Sequence, residues 1–388
     1  MRCVLMNKNT EVLISEYNEN LKVFTEIYEI KNISYAPLII YKSYLDGKDI
    51  TPVLSNWFKG RGIPAWRDAL DLLLAKLNIS SPDELLDKAF GLSLSDQYWV
   101  KNTNSNIEYK NINFFEHDFD DSEFTNAVFD DSFGSSTKIS LISPNNTTDG
   151  RLKKTWIIEN GKRYLLKGAY KNEVMQPFNE VLASIISEKL GFDHVCYTLD
   201  VVNNKVLSKC ECFINTDTEF IPAHQILYGI ENKEEAYEKY INILEEKGIL
   251  NVQEKLENMF ILDYLILNED RHLNNFGIIR DVNTLKWIDM APIFDNGQSL
   301  NILDYNDEEL IVNGQGRIFY SVDDFDSIIS KVTNIKRFDL SKLDSIVSEF
   351  SELLYKYQYI TNMTDRRINK ICALLEGRIN KLKALQNN

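Results

Sequence analysis

The chain has 388 residues, 44% of them hydrophobic, and a formal net charge of −15. That length allows a sizeable buried core and roughly two or three domains. The charge, with no local basic patch, excludes direct binding to nucleic acid or to an anionic membrane surface, and no apolar run approaches the about 18 residues of a membrane span. The opening residues, MRCVLMNKNTEV, lack the apolar stretch of a secretory signal. The cysteines (Cys3, Cys196, Cys210, Cys212 and Cys372) are scattered and odd in number. That usage fits a reducing cytoplasm and argues against a zinc site.

In chain order, residues 1–105 read as a separate α+β unit. LKVFTEIYEI and APLIIYKSYL are rich in β-branched and aromatic residues and suit strands. IPAWRDALDLLLAKLNI has helical periodicity, with Pro64 near its first turn. SSPDELLDKAFG predicts a short helix: Ser81 is its N-cap, Pro82 its first residue, Glu84 completes a capping box and Gly91 stops it. No catalytic constellation stands out here. Residues 106–137 read as an acidic linker, because EHDFDDSEFTNAVFDD carries seven acids and no lysine or arginine.

Residues 138–215 turn to hairpins. KTWIIENGKRYLLKG holds two apolar runs around Asn160-Gly161, a pair suited to a type I′ turn. PFNEVLASIISEKLG predicts a helix that starts at Pro177, buries a stripe of Val181, Leu182, Ile185, Ile186 and Leu190, and ends at Gly191. A second hairpin, VCYTLDVVNNKVLSKCECFI, turns at Asn203-Asn204. Residues 216–388 are mainly helical, and VQEKLENMFILDYLIL is a long buried helix. A third hairpin, FGIIRDVNTLKWID, leads to APIFDNGQSL, and residues 338–387 are helical again. The order predicts an α+β fold of two lobes, a small β-rich lobe packed on a larger helical one. Ligands bind in clefts of that kind.

The stretch NEDRHLNNFGI, residues 268–278, sets polar groups between two apolar runs. Phosphoryl transfer needs positioned phosphates, magnesium and a carboxylate to accept the proton of the attacking hydroxyl. Hard cations take oxygen ligands, so aspartate and asparagine are the side chains to look for. Asp270 and, five residues on, Asn275 have the spacing of a kinase base and a magnesium-binding asparagine, and Asp295 in FDNG supplies a second metal position. Upstream, Lys167 ends a strand and Glu180 lies on the next helix, as does the Lys–Glu pair that holds the α- and β-phosphates. The same five-residue spacing recurs at Asp121/Asn126, in the acidic stretch, and at Asp263/Asn268. In the latter a helix would turn the two side chains to different sides. Only the Asp270 pair stands between a buried helix and a strand.

LNEDRHLNNFGII together with APIFDNG resembles the HipA-type bacterial serine/threonine kinases, whose motif runs Asp-x-His-x-x-Asn-x-Gly; here it is Asp270, His272, Asn275 and Gly277. The likeness spans roughly residues 138–375 and is strongest from 256 to 300. It implies a two-lobed protein-kinase-like fold, ATP and magnesium, with Asp270 as base, Asn275 and Asp295 on magnesium and Lys167 on an ATP phosphate. SPNNTTDGRLKKTW stands where the family's phosphate loop would be, with Thr147, Thr148 and Gly150 as phosphate contacts. Glu211 and Phe213 fall where the strand meets the interlobe hinge, where adenine would bond to the main chain. His272 reads as a loop-orienting residue, and Arg271 as the partner of a phosphate or carboxylate.

Ser143, Thr147 and Thr148 are the expected sites of self-phosphorylation, which would repel ATP phosphates. The motif is also similar to the phosphoinositide-kinase loop. Residues 296–316, however, contain four acids and no lysine or arginine, so the expected acceptor is a neutral or basic protein rather than a lipid head group. Two other readings stay open: a non-catalytic nucleotide-binding module, and a toxin-type kinase whose DNA contact comes through an antitoxin-type DNA-binding partner.

Overall fold

The computed structural model describes residues 1–64, 70–77, 79, 81–119, 122–129, 142–148, 152–170, 174–300 and 314–387. Residues 1–102 fold around one antiparallel sheet. β1 (Arg2–Asn7) pairs with β2 (Thr10–Asn18), placing Val4 opposite Ile14 and Leu5 opposite Leu13. β3 (Val23–Ile30) lies outside β2, and β4 (Tyr98–Asn102) lies beside β1, giving the order β3-β2-β1-β4. Helices α1 (Leu38–Leu45), α2 (Thr51–Lys59), α3 (Leu70–Leu77) and α4 (Pro82–Lys88) complete the unit.

Two local expectations change here. APLIIYKSYL is α1, not a strand. Pro37 sits at its N-cap, where a missing N–H costs nothing, and Leu38 and Ile40 are buried while Tyr44 and Leu45 face solvent. Packing on one helical face overrides the β-propensity of the residues. α4 starts at Pro82 after Ser81, but the Ser81 side chain makes no cap hydrogen bond; only the main chain does, from Glu84 N to Ser81 O at 3.2 Å.

The stretch read as a solvated linker contains helix α5 (Ser122–Phe129), which packs on the next sheet. Its Val128 and Phe129 are buried with Leu166 and Leu207. Within α5 these apolar residues anchor the segment to the sheet.

The second sheet has the order β5-β6-β8-β7. β5 (Lys154–Glu159) and β6 (Lys162–Lys167) turn at Asn160 and Gly161, with φ of 51° and 77°. β7 (Tyr197–Val202) and β8 (Lys205–Glu211) turn at Asn203 and Asn204, with φ of 50° and 58°. Both are the left-handed pairs of a type I′ turn, as predicted. Between the hairpins runs α6 (Met175–Leu190), closed by Gly191 at φ 75° with Phe192 N donating to Ser187 O at 2.8 Å.

The third sheet, order β11-β10-β9, underlies the large lobe: β9 (Thr218–Pro222), β10 (Gly277–Asp281) and β11 (Trp287–Met290). Between β9 and β10 come α7 (Ala223–Ile226), α8 (Ala236–Glu246) and α9 (Val252–Ile266). α9 is buried along its whole second half, from Met259 to Leu267, as expected of a helix apolar on every side. The hairpin β12 (Gln315–Ile318) and β13 (Ser321–Asp324) leads into α10 (Phe325–Ile329), α11 (Ile346–Lys356), α12 (Gln358–Thr361) and α13 (Asp365–Asn387). No helix among the described residues is long and apolar enough to cross a membrane.

The amino-terminal unit is clamped to the third sheet. Gln97 Nε2 donates to Asn215 O and Thr218 O at 2.8 and 3.0 Å, and Phe220 N donates to Ser95 O at 3.0 Å. Arg280 is buried between Glu219 and Tyr98, at 2.7 and 3.0 Å. β10 begins at Gly277, the end of the polar motif, so this unit braces the strand that follows it.

Candidate active site

The polar motif begins where α9 must end. Leu267 takes a left-handed conformation, φ 53°, and turns the chain back. Asn268 N then donates to Asp263 O at 3.0 Å, and Asn268 Nδ2 to Asp263 Oδ1 at 2.9 Å. This corrects the expectation that a continuous helix would separate Asp263 from Asn268: the helix stops before Asn268.

The next residues lock a tight loop. Asn268 Oδ1 accepts from Asp270 N at 3.1 Å, and the Asp270 carbonyl accepts from His272 N at 2.8 Å and Asn275 Nδ2 at 2.9 Å. Asn275 therefore spends its amide nitrogen on the loop. Its amide oxygen has no hydrogen-bond partner among the described residues. His272 shapes the loop: its Nδ1 accepts from Asn274 N at 3.2 Å, and its Nε2 is 3.8 Å from Asp270 Oδ2. The Asp270 carboxylate is 41% exposed, and its other neighbour is Arg317 Nε at 3.8 Å. Partial burial pushes its pKa up, as does Asp295, against the pull of His272 and Arg317.

Gly277 ends the motif because nothing larger fits. A Cβ there would lie 2.1 Å from the Ile221 carbonyl and 2.8 Å from Pro222 Cα, both main chain of β9. Gly277→Ala is expected to cost about 3 kcal/mol or more by overpacking, read as a lower urea midpoint at unchanged slope.

Arg271 faces inward, 1% exposed, and all five of its N–H groups are used. Nε and Nη2 fork onto Asp263 at 3.0 and 2.8 Å; Nη1 donates to the carbonyls of Asn275 (3.2 Å) and Phe294 (2.6 Å); Nη2 also reaches Asn296 Oδ1 at 2.5 Å. Of the two partners expected, it has the carboxylate. One guanidinium thus ties α9, the Asp270–Asn275 loop and the Asp295 turn together.

Across from this loop, the strand-end lysine meets two acids. Lys167 Nζ lies 2.5 Å from Glu180 Oε1 on α6 and 2.7 Å from Asp295 Oδ1. Glu180 Oε2 accepts from Asn296 N at 2.8 Å, and Asn179 Nδ2 donates to the carbonyls of Gly297 and Ser299 at 3.0 and 2.7 Å. Tyr197 underlies the lysine, with its ring centre 5.5 Å from Nζ and its hydroxyl accepting from Asp295 N at 3.3 Å. Asp295 itself is left-handed, φ 57°, a conformation aspartate tolerates better than most residues. Burial pulls the Lys167 ammonium down, but the Asp295 and Glu180 carboxylates outweigh it and hold Lys167 well above the usual lysine range. Burial pushes Asp295 up, yet Lys167 and Lys154 keep it well below the usual carboxylate range. Burial raises Glu180 despite its lysine.

Lys167, Glu180 and Asp295 are therefore in contact, and Asp270 and Asn275 share the loop that Arg271 binds to the Asp295 turn. The other expected residues lie apart from this cluster. Glu211 ends β8 and pairs with Lys162 at 2.9 Å; Phe213 packs against Phe294 and Phe220, with ring centres 5.4 and 5.9 Å away. Thr147 and Thr148 are buried in a turn against the amino-terminal unit, where Thr147 Oγ1 donates to Leu92 O at 2.7 Å and Thr148 Oγ1 to Asn145 O at 3.0 Å. Ser143 is buried as well, so a phosphate on any of the three requires that turn to leave its seat. Gly150 lies outside the described residues, as do residues 301–313 of the acidic stretch. Sequence reading missed Asn179, Tyr197 and the Asp263 hub; only Asp263, through its spacing to Asn268, left a visible signal.

The donor set suits magnesium. Asp295 offers a carboxylate a third exposed and Asn275 a free amide oxygen, the hard oxygen ligands that ion prefers.

The two-lobed, kinase-like fold is one that this chain shares with a HipA-type protein of known structure. HipA of Shewanella oneidensis MR-1, solved with HipB and its operator DNA, aligns over 100% of this chain and 99% of its own, with a TM-score of 0.54 and 13% identity. The Helicobacter pylori proinflammatory kinase CtkA aligns over 60% of this chain and 93% of its own, with a TM-score of 0.49 and 18% identity. At 13% identity the likeness to HipA is one of fold. No protein-family model matches the sequence, and a search of curated proteins finds no relative.

Proposed function

We propose that the chain is an ATP- and magnesium-dependent, HipA-like serine/threonine protein kinase. The observation that carries this reading is the buried Lys167 held between Glu180 and Asp295, beside a loop that presents a partly exposed Asp270. Lys167 stays cationic at any physiological pH and orients the α- and β-phosphates. Glu180 holds the lysine in place. Asp270 takes the proton of the acceptor hydroxyl as the bond from that oxygen to the γ-phosphorus forms and the bond from phosphorus to the bridging oxygen of ADP breaks. Asn275 and Asp295 would hold magnesium, which when bound neutralises charge on the phosphate oxygens. Glu211 and Phe213 mark the strand end at which adenine would meet main chain.

An antitoxin-type, DNA-binding partner belongs to the same proposal, because the HipA neighbour was solved with HipB and operator DNA and a chain of net charge −15 is poorly suited to DNA itself. We place the activity in the cytoplasm, where the five unpaired cysteines would stay reduced.

Labelled ATP with magnesium, offered beside a basic protein and beside phosphoinositide vesicles, tests the acceptor: label on the lipid alone would replace the protein acceptor with a lipid one. The pH profile tests the base. Asp270 must be ionised to act, and its pKa is raised by burial. Activity should therefore fall, on acidification, at a higher pH than an ordinary aspartate would set.

A further inference from the structure

The amino-terminal sheet has an edge that the proposed reaction does not use. β3 is its outermost strand. Near its start, Phe24 is satisfied on the outer side by Ser55 of α2, whose Oγ accepts from Phe24 N at 2.9 Å and donates to Phe24 O at 3.1 Å. Beyond that point the cover ends. The main chain of residues 27–30 makes no hydrogen bond among the described residues other than those to β2. Unpaired strand edges are templates for another strand, and most proteins cover them.

A shallow groove of about 650 Å³ runs along this edge, between β3 and the corner joining α1 to α2. Its apolar wall includes Tyr28, Ile30 and Tyr44, which are 45%, 38% and 43% exposed; Tyr28 is already engaged, its ring centre 4.6 Å from the Arg2 guanidinium and its hydroxyl donating to Glu16 Oε2 at 3.4 Å. Its charged members are Glu26, Glu29, Asp49 and Lys48. Lys48 is committed to Asp46 at 2.9 Å, whereas none of the three acids has an ion-pair partner among the described residues. The nearby Lys31 is paired with Glu11 at 2.5 Å. The groove is thus an open strand edge with an aromatic foothold at Tyr44 and three acids that have no ion-pair partner among the described residues.

We propose that the outer edge of β3 docks an extended segment of a partner protein that bears lysine or arginine, which joins the sheet as a further strand. Main-chain hydrogen bonds to residues 27–30 would supply affinity, and the acids would select a basic strand. A second copy of this chain fits poorly, because pairing β3 with itself brings Glu26 and Glu29 of both copies together.

The test uses the full chain and two synthetic peptides, one alternating lysine and valine, the other glutamate and valine. The lysine peptide should bind at least about tenfold more tightly, and should slow amide exchange in residues 27–30. Glu26→Lys with Glu29→Lys should lose that preference, while Glu238→Lys with Glu245→Lys on α8, neither of which lines the groove, should keep it. Equal binding of the two peptides overturns the proposal. So does equal loss in the α8 variant, which would mean diffuse attraction to an acidic protein. Binding without protection of residues 27–30, or self-association through β3, overturns it as well.

Discussion

Replacing Asp270 by alanine is expected to lower phosphate transfer by about 10²–10⁴-fold, the usual weight of a positioned proton acceptor, while unfolding stays within about 0.5 kcal/mol of wild type. The separation is possible because the loop is shaped by the Asp270 main chain. Its carbonyl holds His272 and Asn275, and its amide is held by Asn268. The carboxylate has only loose neighbours, His272 and Arg317, each at 3.8 Å. No other member of the site separates chemistry from structure so cleanly. Asn275→Ala would also remove the clamp on the Asp270 carbonyl, and Lys167→Met would leave the buried Glu180 without its cation. Initial rates with labelled ATP, run beside a thermal melt, decide the matter: an unchanged rate would remove Asp270 from the reaction.

Arg271→Met should be among the most destabilising single changes in the chain, at about 3–5 kcal/mol, because it strands a buried carboxylate. Asp263 is 3% exposed and takes both arms of the guanidinium fork. The same change unties the carbonyls of Asn275 and Phe294, so activity should fall even where the protein remains folded. Adding Asp263→Leu removes the stranded charge and should recover part of the loss. Chemical denaturation of the two single variants and the double variant measures the coupling. Additive losses would mean that the pair is not the joint described here.

Some of this was legible in one dimension. Asn160-Gly161 and Asn203-Asn204 announced their hairpins, since few residue pairs accept two successive positive φ values. Gly191 announced the end of α6 in the same way. Asp270, Asn275 and Gly277 stood out because a fixed spacing lay between a buried helix and a strand. Other features had no local signature. APLIIYKSYL carries strand-like residues, and only the face it buries made it a helix. The stretch 116–131 looked solvated because of its seven acids, yet Phe129 fills a space behind the second sheet.

The sequence by itself determined the turn chemistry, the hairpin–helix–hairpin order over residues 154–211 and the spacing of the polar motif, because these depend on backbone preferences and on neighbours a few residues away. Only the tertiary structure decided that Lys167, Glu180 and Asp295 touch, that Asp263 meets Asn268, and that Arg271 joins three segments. Those contacts link residues up to 128 positions apart. Their partners are chosen by burial, since an ammonium or guanidinium out of water must find carboxylates wherever the fold places them.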